Sequence, residues 1–116
     1  MRAARVNALD AVLPRVQAVL PPGDAPVDPA SLFNTPVGAV WLEIGFGNGE
    51  HVAHQAAAHP DTGLIGCEPF INGVAALCAD IGRTDARNIR IWPDDARILM
   101  ARLRDASLDR LYLLHP

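Results

Sequence analysis

The chain has 116 residues, 10 basic and 13 acidic, and half of its residues are apolar. This is one domain with a real core, too apolar for a disordered segment. No apolar run reaches the ~20 residues that cross a bilayer, no secretory signal is visible at the N-terminus, and a net charge of −3 does not suggest a nucleic-acid binder.

Val6, Leu9, Leu13, Val16 and Leu20 fall at helical intervals and predict a helix over residues 5–20. Pro14 should kink or restart it, and Pro21-Pro22-Gly23 should end it. Residues 21–37 have five prolines and no period, which reads as a surface loop or linker. From Val37 the pattern changes. Ala39–Ile44 is a short apolar run ending at Gly45, a buried strand, followed by a glycine-rich turn and a helix from Glu50 to His59. Gly63–Cys67 is a second strand. Ile71, Val74, Cys78 and Ile81 mark one face of a second helix, which Gly82 can end. Asn88–Trp92 is a third strand, Asp95–Arg104 a third helix with Ile98, Leu99 and Leu103 inward, and Leu108–Leu114 a fourth, buried strand. Strands alternating with helices give βαβ units and a parallel sheet, so the fold class is α/β.

Three sites carry chemistry. The first is Glu43-Ile44-Gly45-Phe46-Gly47-Asn48-Gly49, between a strand and a helix. Glycines there permit positive φ and close approach of a ligand to the backbone, and the following helix offers free N–H groups. Dinucleotide sites use G-x-G-x-x-G; here Gly49 comes one position early and an acid precedes the turn. That suits a ligand whose near end carries an ammonium group, the alternative being a plain tight turn. The second is Glu68, at the end of the second strand, placed to accept hydrogen bonds from a ribose diol or else a solvated strand-end acid. Phe70 beside it suits a purine face or the core. The third is Asp94-Asp95-Ala96: one Asp should cap the third helix, while Asp95 could accept from an adenine amino group as neighbouring backbone, Ala96 included, reads the ring. His51 and His54 share a helix face, but no further ligand follows to make a metal site. Cys67 and Cys78, in no CxxC pair, read as buried core thiols of a cytoplasmic chain.

Trp41-Leu42-Glu43-Ile44-Gly45-Phe46-Gly47-Asn48-Gly49-Glu50-His51 closely resembles the first motif of the bacterial tRNA (guanine-N7)-methyltransferases. Residues 63–75, residues 88–90 with 94–97, and residues 106–116 resemble that family's second strand and helix, its third strand and helix, and the run into its signature. The resemblance implies a Rossmann-like class I methyltransferase fold with four parallel strands and intervening helices. Residues 1–37 would be an N-terminal helix and Pro-rich linker, and residues 38–116 the N-terminal half of the S-adenosylmethionine domain. It implies S-adenosyl-L-methionine as cofactor, held by Glu43, Gly45, Gly47, Gly49, Glu68, Phe70, Asp95 and Ala96, with no metal and no assigned catalytic residue. The expected reaction is methyl transfer to guanine N7 of tRNA. The family's Asp-Pro-Trp signature and basic stretch would start after Pro116, so the chain is expected to be truncated before the second half of the sheet, to lack most of the tRNA-binding part and to be inactive by itself. A methyltransferase with another acceptor and a non-catalytic remnant are the other readings.

Overall fold

The structure is a computed structural model describing residues 2–113, with side chains from residue 7 onward. The calls on Val6 and on Leu114 to Pro116 lie outside these bounds. Four strands, β1 (Ala39–Ile44), β2 (Thr62–Cys67), β3 (Ile89–Trp92) and β4 (Arg110–Leu113), form one sheet in the order β3-β2-β1-β4, with all pairings parallel. The helices are α1 (Arg2–Val16), α2 (Glu50–Ala58), α3 (Ile71–Thr84) and α4 (Ala96–Met100), and a 3-10 turn covers Pro29–Leu32. The α/β class and the parallel sheet stand as expected. The strand order reverses direction between β1 and β4, and in such sheets the crevice at the reversal binds ligands.

Alternation along β1 builds a core on each face. Trp41 joins Leu64, Ile89 and Ile91 under α1, α2 and α3, with Val52, Leu77 and Ile81 fully buried. Val40 and Leu42 join Ile65, Cys67, Phe33 and Leu99 under α4 and the 3-10 turn. The segment expected as a surface linker therefore contributes core: Val27, Pro29 and Phe33 are buried, and Val27 exchanges backbone bonds with Arg102 and Arg104 (2.7 and 2.8 Å).

Several boundaries differ from expectation, each for a tertiary reason. The first helix ends at Val16, four residues early, because Ala18 N–H donates to the Ile91 carbonyl at 2.8 Å and the chain pairs along the edge of β3. The helical hydrogen bonding passes Pro14 without a restart. Gly82 does not end α3. The helix continues to Thr84, and Asp85 closes it in the left-handed conformation at φ 55°. Gly82 instead faces α1, where an added Cβ would meet Val12 at 3.5 Å. The third helix stops at Met100, since residues 102–104 are drawn into the bridge with Val27; Leu99 is buried but Ile98 is 51% exposed. The fourth strand is not buried. Among the described residues β4 pairs with β1 alone, and Leu111 and Leu113 are each more than half exposed.

Asn88 is the staple between layers. Its side-chain amide donates to the carbonyls of Ala56 (3.0 Å), His59 (3.1 Å) and Thr62 (2.9 Å), tying the end of α2 to the start of β2. Asn88→Ala removes these contacts and leaves the buried Ala56 carbonyl without a donor, since Pro60 at the next helical position has no N–H, which costs about 1–3 kcal/mol. Urea unfolding of the variant is expected to show that loss in midpoint with an unchanged slope; a midpoint equal to that of the parent would remove the staple from the account.

Candidate ligand site at the carboxyl edge of the sheet

A cleft of about 630 Å³ opens where β1, β2 and β3 end. Ile44, Gly45, Cys67, Glu68, Pro69 and Phe70 form one side, and Asp94, Asp95, Ala96, Arg97 and Met100 the other. Gly45, Glu68, Phe70, Asp95 and Ala96, anticipated on three separate segments, therefore share one cleft. Its walls are largely apolar, with carboxylates at intervals, a composition suited to a flat apolar body bearing hydroxyl or amino groups.

Glu68 organises the cleft. It is 6% exposed, its Oε1 accepts from Gly47 N–H at 2.9 Å, and its Oε2 accepts from Phe70 N–H at 3.2 Å. Each carboxylate oxygen retains a free lone pair for a second donor. The reading of Glu68 as a solvated acid fails. Phe70 does not enter the core; it stands 74% exposed at the cleft. Asp95 both caps α4 and lines the cleft. Its Oδ1 accepts from Arg97 N–H at 2.9 Å, capping α4, while its carboxylate, partly exposed, lines the cleft. Hydrogen bonds from the Arg97 guanidinium, then from its backbone N–H, hold the Asp95 carboxyl down at about 2, so it is an anion throughout the neutral range.

The glycine turn is folded as its sequence demands. Gly45, Gly47 and Gly49 all have positive φ (69°, 63° and 86°). Only Gly45 lines the cleft. Gly47 reaches it through its bond to Glu68. Gly49 is buried at the start of α2, where a Cβ would strike Leu77 at 2.8 Å, so it serves packing. Glu43 lies beneath the turn, 1% exposed. Its Oε1 pairs with His51 Nδ1, and its Oε2 is the one fully buried side-chain polar atom without a partner among the described residues. His51 packs edge-on against Tyr112, the register partner of Glu43 on β4, with ring centroids 4.8 Å apart. Among the described residues no three His, Cys, Asp or Glu side chains gather as metal ligands.

Two residues here escaped the sequence reading. His51 was grouped with His54 on a helix face, and nothing local signals its partner on β1. Gly73 lies within the stretch 63–75, yet its absent side chain is what lets α3 reach the glycine turn: a Cβ there would lie 2.0 Å from the Gly47 carbonyl oxygen. A glycine in the first turn of a helix costs stability, and that cost was the signal for a close approach.

The same substitution at two glycines of α3 should have opposite effects. Gly73→Ala forces backbone apart at the Glu68–Gly47 contact and should destabilise by at least the 1–3 kcal/mol of overpacking. Gly82→Ala meets only ordinary contact and should stabilise by about 0.5–1 kcal/mol. Thermal unfolding of both variants checks the pair; a tolerated Gly73→Ala would contradict the tight turn.

Comparison with known proteins identifies the family and the fold. A family model described as "Putative methyltransferase" matches residues 38–116. A tRNA (guanine-N(7)-)-methyltransferase of Hyphomonas neptunium is 52% identical over 94 residues, covering 81% of this chain and 42% of the relative. Proteins of the same name from Paramagnetospirillum magneticum and Rhodospirillum rubrum are 46% and 47% identical, covering 99% and 100% of this chain and 50% and 46% of theirs. The chain thus spans about half the length of the curated relatives it matches. A 16S rRNA (adenine(1408)-N(1))-methyltransferase from Catenulisporales acidiphilia superposes with a TM-score of 0.59 at 17% identity, over 87% of this chain and 47% of that one. The antibiotic-resistance methyltransferase Kmr gives 0.56 at 25% identity, over 71% and 44%. These likenesses establish the α/β methyltransferase fold, and with the match over residues 38–116 the chain belongs to this methyltransferase family.

Proposed function

We propose that this chain carries the S-adenosyl-L-methionine-binding half of a cytoplasmic tRNA (guanine-N7)-methyltransferase, with tRNA as substrate. The observation that carries the reading is the convergence of Gly45, Glu68, Phe70, Asp95 and Ala96 on one cleft at the carboxyl edge of a parallel sheet, in a chain close to half-identical to methyltransferases of that name. Buried thiols suit a reducing compartment: burial pushes Cys67 up to about 12 and Cys78 to about 11. No helix among the described residues is long and apolar enough to cross a membrane.

The residues fit the group they would hold. Glu43 Oε2 is a buried carboxylate oxygen with no partner among the described residues, which suits the ammonium of the methionine end behind the glycine turn. Glu68 keeps lone pairs for the ribose hydroxyls, Asp95 faces the adenine amino group, and Phe70 offers a ring to the purine. When bound, S-adenosylmethionine supplies a methyl group activated on a sulfonium. Guanine N7 has its own lone pair, so no residue of this chain has to act as a general base. What the chain provides is orientation, through the Glu68–Gly47 clamp, and apolar walls that displace water.

Glu68→Ala tests the reading by calorimetric titration of the chain with S-adenosylhomocysteine. The substitution removes charge-assisted bonds worth roughly 1.5–3 kcal/mol each, and a tenfold or larger loss of affinity is expected, with circular dichroism confirming that the fold persists. Unchanged affinity would exclude the ribose role.

A further inference from the structure

A second cavity, of about 530 Å³, lies across β3 from the first. It is bounded by Arg15 at the end of α1, by Asn34 and Thr35 ahead of β1, by Asp85 and Arg87 ahead of β3, and by Arg90 on β3 itself. The first cleft takes residues that follow the strands; this one takes residues that precede them, so the two lie at opposite edges of the sheet.

Arg90 is the unusual member. Its side chain is only 5% exposed, yet no carboxylate lies within ion-pair distance of it among the described residues. Its Nε donates to the Leu32 carbonyl at 2.9 Å and its Nη1 to the Ile89 carbonyl at 2.8 Å, and Phe33 lies 5.4 Å from its guanidinium carbon. Those contacts are with neutral groups. Nη2 donates to none of the described residues and is not a fully buried unpaired atom, and Arg90 lines the cavity. A buried charge without a counter-ion is costly, and burial correspondingly lowers the pKa of Arg90. Two further arginines, Arg15 and Arg87, border the same space from other elements, both exposed. The single acid in the wall, Asp85, stands 4.0 Å from Arg87, at the limit of an ion pair. Asn34 and Thr35 add neutral donors. In a chain of net charge −3, three arginines around one cavity are a local reversal of sign.

We propose that this cavity binds a phosphate group, with the unpaired Nη2 of the largely buried Arg90 as one donor and the exposed Arg15 and Arg87 as the others. Guanidinium groups match the oxygen spacing of phosphate and bind it with charge-assisted hydrogen bonds. The phosphate could belong to a small molecule or to a nucleic-acid backbone, and the chemistry at the cavity is the same for both.

The test titrates the 116-residue chain with inorganic phosphate at constant ionic strength, balanced with chloride, following the Arg90 Nε–Hε resonance by NMR. A saturable shift is expected. Arg90→Gln also removes the tie to Leu32 and so confounds binding with folding; the decisive variant is the surface pair Arg15→Ala with Arg87→Ala. It should weaken phosphate about tenfold or more by removing charge-assisted donors, with the unfolding midpoint unchanged. A second arm adds a short single-stranded RNA to the phosphate-loaded chain. Displacement of phosphate identifies the ligand as backbone phosphate, and retention identifies it as a small phosphate; either outcome supports the site. A shift linear in phosphate, or one of equal affinity in the double variant, overturns it.

Discussion

The carboxyl edge of this sheet depends on the Glu68 carboxylate. It accepts from Gly47 on the glycine turn and from Phe70 at the mouth of α3, so one side chain fixes the positions of two segments that would otherwise be free loops. The clamp closes because Gly73 presents no Cβ toward the Gly47 carbonyl. Remove either condition and the turn moves away from the strand end that it must face. The packing of Gly49 on Leu77 and of Gly66 on Phe46 holds the same turn from behind, where added Cβ atoms would come to 2.8 and 2.7 Å.

Much of the fold was legible in the sequence because strands β1 and β2 are apolar runs with no competing period, and because Ile71, Val74, Cys78 and Ile81 of α3 show a helical stripe. The misreadings share one cause: a local signal was answered by a distant partner. Gly82 looked like a helix end, but its small size serves contact with Val12, more than 60 residues earlier in the chain. Leu20 looked like a continuation of the first helix, but β3 takes up the backbone at Ala18 first. Leu103 looked like a helical core position, but the bridge to Val27 ends the helix before it. The apolar residues of β4 looked buried because their pattern matches that of a central strand, and pattern alone does not say whether a strand has one neighbour or two.

At the candidate site the types of residue were legible, and their second functions were not. Carboxylates after successive strands of a parallel sheet must meet at one edge, so Glu68 and Asp95 could be paired from topology alone. That Asp95 would both cap α4 and face the cleft follows from the short connection between β3 and α4, which leaves no room to separate the roles. The Glu43–His51 pair could not be read locally, because it joins a strand to a helix across the turn, and Tyr112 from a later strand completes its packing. Arg90 was read only as part of a strand. Its burial without an acid emerges once the 3-10 turn and Phe33 fold over it.

The central claim is that the cleft at the carboxyl edge is where the cofactor binds. Backbone NMR of the chain during titration with S-adenosylhomocysteine tests it most directly. The account predicts saturable shifts at the amides of Gly45, Gly47, Phe70 and Ala96, and none at Arg87 or Arg90 on the opposite edge. Shifts confined to the cavity at Arg90, or saturation without any change at Gly47 and Phe70, would contradict it.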